Sequence, residues 1–135
     1  MNVIDEALYD RLCADVPLTT ALGTRPVVHA MQIPGGSEEF LCFGKQSGTD
    51  TYVQRQRAGR SLYYFVKMVS KGLSVKAAND ICDLVDAALT DKLLTLTGWV
   101  NVYLRRVSDI EFVEETNGVV WQHVGNLYLL EIVPS

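Results

Sequence analysis

The stretch SLYYFVKMVSKGLSVKAANDICDLVDAALT, residues 61–90, decides how the chain folds. Its first part, residues 62–69, gathers Tyr63, Tyr64, Phe65, Val66 and Val69. Aromatic and β-branched side chains suit a pleated surface, and both alternate faces are apolar apart from Lys67. The run therefore predicts a central strand covered on each side. Gly72 breaks it, and the Ser74 hydroxyl can cap a helix start. From there Val75, Ala78, Ile81, Cys82, Val85, Ala88 and Leu89 recur at steps of three and four. That period predicts an amphipathic helix over about residues 74–90, lying on the sheet.

Upstream, Ile4, Ala7, Leu8 and Leu12 give residues 2–14 one apolar helical face, with Asn2 as the cap and Asp5 and Glu6 in the first turn. Pro17 opens a short helical turn over residues 18–22, and Gly23 is placed to end it. Residues 27–33 read as extended, Pro34-Gly35-Gly36-Ser37 as a turn, and residues 40–43 as a short strand. Residues 44–59 then become polar, which fits either a long flexible loop or a poorly buried hairpin arm. Downstream, strands are expected over residues 94–96, 99–107, 110–115 and 119–133, the last with a break near Gly125-Asn126. Asn117-Gly118 is the most specific local signal, since a two-residue type I′ hairpin needs positive φ at both positions. The expected architecture is α+β: a mostly antiparallel sheet carrying two main helices, one N-terminal and one central, with long loops between strands.

The 135 residues, 48% hydrophobic and 21% charged, suffice for one core, so a single domain over residues 1–135 is expected. Twelve basic against sixteen acidic side chains leave a formal charge of −4. A surface built to grip nucleic acid would cluster cations against phosphates, so the composition argues against that class. Cys13, Cys42 and Cys82 form no CxxC pair and read as small buried apolar residues in a reducing compartment. Neither a secretory signal nor a membrane-length apolar run is visible.

Residues able to do chemistry are sparse. His29 and His123 lie in strand patterns without metal-ligand spacing, and Cys82 sits on an apolar helix face. Glu38-Glu39 and Glu114-Glu115 are adjacent in sequence, so their carboxylates point apart and read as solvated charges. Pro34-Gly35-Gly36-Ser37 lacks the pattern of a phosphate-binding loop. No catalytic, cofactor-binding or metal-ligating residue is therefore assigned. Arg55, Arg57 and Arg60 form the main basic concentration; with Gln54 and Gln56 they are candidate partner or subunit contacts, as are Glu38 and Glu39, a solvated loop being the other reading.

One resemblance runs through nearly the whole chain. The opening helix runs into Leu12-Cys13-Ala14-Asp15-Val16-Pro17-Leu18-Thr19-Thr20-Ala21-Leu22-Gly23. The strand Leu62-Tyr63-Tyr64-Phe65-Val66-Lys67-Met68-Val69-Ser70 follows an arginine-bearing segment. The alanine-rich helix at Ala77-Ala78-Asn79-Asp80-Ile81-Cys82 leads into Leu94-Thr95-Leu96-Thr97-Gly98, and the closing hairpin turns at Asn117-Gly118. In this order the segments resemble the tail completion, or tail terminator, proteins of long-tailed bacteriophages. The resemblance implies a structural, non-enzymatic virion protein without cofactor. It implies a homo-oligomeric ring, a hexamer, at the head-proximal neck of the tail, assembled in the host cytoplasm. Its partners would be the tail tube protein and a head-completion or connector protein. DNA would pass through without specific binding, and no membrane would be involved. A neck-region head-completion or head-closure protein is the alternative. A small cytoplasmic α+β enzyme or ligand-binding dimer, using Cys82 or His123 in a pocket, is a third.

Overall fold

A computed structural model of the chain describes residues 2–30 and 39–135. The turn expected at Pro34-Gly35-Gly36-Ser37, the extended reading of residues 31–33, and Glu38 lie outside the described residues. Three helices and five strands are described: α1 (Val3–Ala14), α2 (Val16–Leu22), β1 (Val27–His29), β2 (Phe40–Val53), β3 (Gln56–Ser70), α3 (Val75–Leu89), β4 (Trp99–Thr116) and β5 (Val119–Pro134). They form an α+β fold around one sheet of order β1-β2-β3-β5-β4. β1 pairs with β2 in parallel and every other pair is antiparallel.

Local chemistry sets the helix ends. Asn2 and Asp5 form a capping box: the Asp5 N–H donates to Asn2 Oδ1 at 2.8 Å, and the Asn2 N–H donates to Asp5 Oδ2 at 3.2 Å. Asp15 caps α2 by accepting from the Leu18 N–H, and Ser74 caps α3 by accepting from the Ala77 N–H. Arg11 ties α1 to the end of α3, donating to the carbonyls of Lys92 and Leu93, both at 2.9 Å. Its guanidinium also donates to the Ala88 carbonyl at 3.4 Å, in the last turn of α3, where carbonyls lack intrahelical partners.

The core is lopsided. Ile4, Leu8, Leu12, Leu18 and Leu22 join Ala78, Ile81, Cys82, Val85 and Leu89 against Leu41, Phe43, Leu62, Tyr64, Val66, Met68, Leu104, Tyr128 and Leu130. Each such side chain is worth about 1.5–3 kcal/mol when fully buried. Of the residues expected on the apolar face of α3, only Val75 stays exposed. The opposite sheet face holds a smaller cluster of Val28, Phe40, Cys42 and Val69, with Ala30, Phe65 and Trp121 packed against it. No described helix contributes to it. β3 is central, as expected, but its cover is uneven: Leu62, Tyr64, Val66 and Met68 are buried, whereas on the other face Tyr63, Phe65 and Lys67 are half-buried.

The strands are longer than their patterns suggest. Of the two readings of residues 44–59, the structure has the poorly buried hairpin arm and not the long loop: they complete β2 and begin β3. The two runs expected at residues 99–107 and 110–115 are one strand, with a register shift between Arg106 and Ser108 that absorbs the interruption. β5 passes through Gly125 without a break. A Cβ there would run into the Val66 carbonyl and the Lys67 backbone, so the glycine permits close packing of β3 on β5 rather than ending the strand. Residues 94–96 form no strand; a single bridge joins Thr95 to Val100, and Leu94 is buried beneath it. Cys13 is exposed, which corrects its reading as buried, while Cys42 and Cys82 are buried.

Candidate functional site

Beyond the helix-backed centre, the sheet extends as two hairpin arms. Arm 1 comprises residues 45–60 of β2 and β3. Its turn residues Gln54 and Arg55 take positive φ, 49° and 69°, a left-handed conformation that long side chains enter at some cost. The arm is internally paired. Arg60 Nε donates to Asp50 Oδ1 at 2.7 Å, Arg57 Nε lies 4.0 Å from the same oxygen, and the Arg57 guanidinium sits 5.8 Å from the Trp99 ring centroid. Gln54, Arg55, Gln56 and Arg57 are exposed at the tip, with Tyr52 and Val53 beside them at 60% and 59% exposure.

The candidate contacts from sequence therefore divide. Gln54, Arg55, Gln56 and Arg57 come together at the tip, while Arg60 is held lower down by Asp50. Glu39 precedes the far end of β2 and lies 3.6 Å from Arg25. A strand of 14 residues separates it from the tip, roughly 45 Å at about 3.3 Å per residue. Glu39 and the arginines cannot share one small site.

Arm 2 comprises residues 105–121 of β4 and β5. Asn117 and Gly118 turn it with φ of 52° and 77°, the positive pair expected of that dipeptide. It projects from the opposite end of the sheet, because β5 runs against β3: Arg60 faces Ile132, whereas Ser70 faces Gln122. Val107, Phe112, Val113, Val119 and Val120 are all exposed, interleaved with Asp109, Glu111, Glu114 and Glu115. Sequence reasoning located the turn but not this surface. The available signal was apolar residues on both alternate faces of the hairpin, interleaved with four acidic side chains.

At the base of arm 2 a cavity of about 400 Å³ opens on the second sheet face, lined by Phe40, Cys42, Phe65, Lys67, Glu114 and His123, among others. His123 is 8% exposed, and its ring stacks on Phe112 with centroids 4.3 Å apart. Its Nε2 lies 3.5 Å from Glu114 Oε1. Burial, followed by the Lys67 charge, pushes the His123 pKa down, with Glu114 opposing. Lys67 Nζ is 5.0 Å from the Phe65 ring centroid and 5.2 Å from that of Phe112, so apolar faces and one ammonium make up most of the wall.

Nucleophile and base are kept apart. Cys82 lies on the helix-backed face, where its Sγ–H donates to the Val124 carbonyl at 3.2 Å and desolvation raises its pKa to about 11. A thiol so placed stays protonated, and His123 faces the other side of the sheet. The second histidine is committed elsewhere: His29 Nε2 lies 3.2 Å from Asp5 Oδ2, and the Tyr64 hydroxyl donates to Asp5 Oδ1 at 2.8 Å. Among the described residues no group of His, Cys, Asp and Glu is arranged to hold a metal ion. No described helix is long and apolar enough to cross a membrane.

No family model matches the chain, and no curated protein matches it by sequence. Its fold is shared with solved structures. A chain from the virion of a native gene transfer agent particle superposes with a TM-score of 0.79 at 17% identity, over 98% of this chain and 96% of that one. A second solved structure, which carries no functional name, gives a TM-score of 0.61 at 12% identity, over 98% and 94%. At such identities the likeness is one of fold.

Proposed function

We propose that this protein is a structural component of a phage-type virion that forms a ring at the head-proximal end of the tail tube, ends tube polymerisation and joins tail to head. The observation that carries the reading is the match in fold, nearly end to end, to a chain of the gene transfer agent virion. The anatomy of the molecule supports it. The Cys82 thiol and the His123 ring are separated by the sheet, which argues against a shared catalytic centre. Two long arms of exposed apolar and charged residues offer surface for subunit contact. A formal charge of −4 suits a conduit through which DNA slides, since each added cation would create a phosphate contact to be broken. In this reading the mechanism is geometric: one ring face matches the tube subunit, the other a head-completion protein.

Deletion of the gene followed by electron microscopy of the particles tests the proposal. Overlong tails without heads are expected. Normal-length tails joined to heads would overturn it, and normal-length tails with unattached heads would move the protein to the head side of the neck.

A further inference from the structure

Among the described residues, each arm has one sheet edge without a partner strand, and these two edges lie diagonally across the molecule. On one side, β1 covers only the first part of β2: Val27, Val28 and His29 face Leu41, Cys42 and Phe43, and the Ala30 N–H donates to the Phe43 carbonyl. From Lys45 to Val53 no described strand lies outside β2. On the other side, residues 91–95 cover the start of β4. The Asp91 N–H donates to the Leu104 carbonyl at 2.9 Å, the Leu94 N–H donates to Asn101 Oδ1 at 2.8 Å, and Thr95 bridges to Val100. From Arg105 to Thr116 no described strand lies outside β4. A long edge without a partner strand presents a row of backbone N–H and C=O groups, a ready template for pairing with another chain.

We infer that the open edge of arm 2 in one copy of the chain pairs with the open edge of arm 1 in the next, continuing the sheet from subunit to subunit. Strand direction allows it. β2 and β5 run one way and β3 and β4 the other, so β4 of one copy meets β2 of a neighbour placed in the same orientation as an antiparallel pair. Charge selects it. Arm 1 carries Lys45, Arg55, Arg57 and Arg60 against the single acid Asp50, and two of those arginines lie at or near that acid. Arm 2 carries Asp109, Glu111, Glu114 and Glu115, while Arg105 and Arg106 pair with Asp91 and Asp109. A basic arm therefore faces an acidic one, and two arms of the same kind would repel. Apolar residues match as well: Tyr52 and Val53 on arm 1, Val107 and Val113 on arm 2 are exposed.

Different surfaces meet in this contact, so every copy keeps one arm of each kind for a further neighbour. A contact of that type closes into a ring when the rotation permits. Because the open edges are offset along the strands, closure requires strands inclined to the ring axis, as tilt and stagger are linked in a barrel. The inference deepens the ring reading and rests on it for closure, but the contact between two copies stands independently.

Paired charge reversals test it. One variant makes both arms acidic (Arg55→Glu with Arg57→Glu); the other makes both basic (Glu111→Lys with Glu115→Lys). All four residues are exposed, so each variant is expected to melt within about 4 °C of the parent. Sedimentation across a concentration series should show each variant alone associating about tenfold or more weakly than the parent, and the parent weakening as salt rises. Mixing the two variants should restore association, since acidic arms then meet basic ones. Parental association by either variant alone, or no recovery on mixing, overturns the inference. So does a parent chain that stays monomeric up to about millimolar concentration. Should the reversals behave as expected while gene deletion leaves tails and heads joined, the ring reading fails and the contact survives. If deletion uncouples tails from heads but the reversals change nothing, the contact fails alone.

Discussion

The centre of the sheet and its two arms are built from the same strands, yet they are held in different ways. At the centre, Leu62, Tyr64, Val66 and Met68 of β3 are buried against α1, α2 and α3, and hydrogen-bonded ladders run on both sides of the strand. In the arms the ladders continue, but residues 111–120 are exposed throughout. Backbone pairing alone contributes little net stability, because water offers the same groups equivalent bonds. A two-stranded ribbon in water is marginal. The arms therefore persist by being continuous with the core, and their side chains are free to serve contacts outside the subunit.

The contrast can be broken most forcefully at Ile81, on the buried face of α3. Ile81→Asp places an unpaired carboxylate in the core at a cost of several kcal/mol, a large share of a domain stability of about 5–15 kcal/mol. Circular dichroism and denaturant titration should show an unfolded or severely weakened chain, arms included; a cooperative fold near parental stability would refute the assignment of that face. Tyr64→Phe is milder. It removes the donor to the buried Asp5 carboxylate and should lower stability by about 1–3 kcal/mol in denaturant titration. Gly118→Val acts on arm 2 alone, at a position with φ of 77° and open space around it. A loss of about 1–2 kcal/mol is expected from the left-handed conformation. Faster amide exchange should be confined to residues 105–121, and exchange spreading into the centre would mean that arm and core are one cooperative unit.

The smallest effect is a pH dependence at the junction. His123 has a folded-state pKa below its unfolded value of about 6.5. Its neutral form is the one that fits, so the associated stability is present above pH ~6.5 and is lost as pH falls through the folded value. Thermal melts between pH 7 and 5 should decline less steeply for His123→Phe than for the parent. Parallel pH profiles would remove the histidine from the account.

The same contrast explains what could be read from the chain. Residues 61–90 were legible because a core writes its period into the residues that face it: Ile81, Cys82, Val85, Ala88 and Leu89 are all buried, and the Ser74 cap sits where expected. Asn117-Gly118 was legible because the turn itself demands those residues. Arm 1 was legible only as one of two readings, since residues 45–57 face no core over most of their length and carry no alternation, and Gln54-Arg55 is an uncommon turn pair. Leu94 misled in another way, being buried as a plug under β4 rather than as part of a strand. At the candidate contacts, the tip residues Gln54, Arg55, Gln56 and Arg57 were found as a group. The separation of Glu39 and the internal pairing of Arg60 required strand register, which no local pattern encodes. Arm 2 escaped because its apolar residues read as core in any sequence and become surface only once the helices are seen to stop short of them.

The Asp5 carboxylate carries a consequence for how the chain reaches this state. It completes the α1 cap with Asn2, yet its carboxylate also meets groups far along the sequence: the Tyr64 hydroxyl, 59 residues away, and His29. Tyr64 in turn lies on a strand whose far side is filled by β5, ending its ladder at Ile132. The helix that leaves the ribosome before the sheet therefore has no finished seat until the closing strand has followed. The two hairpins can form from neighbouring segments, but the seat of the opening helix needs long-range closure, the kind of contact that slows folding.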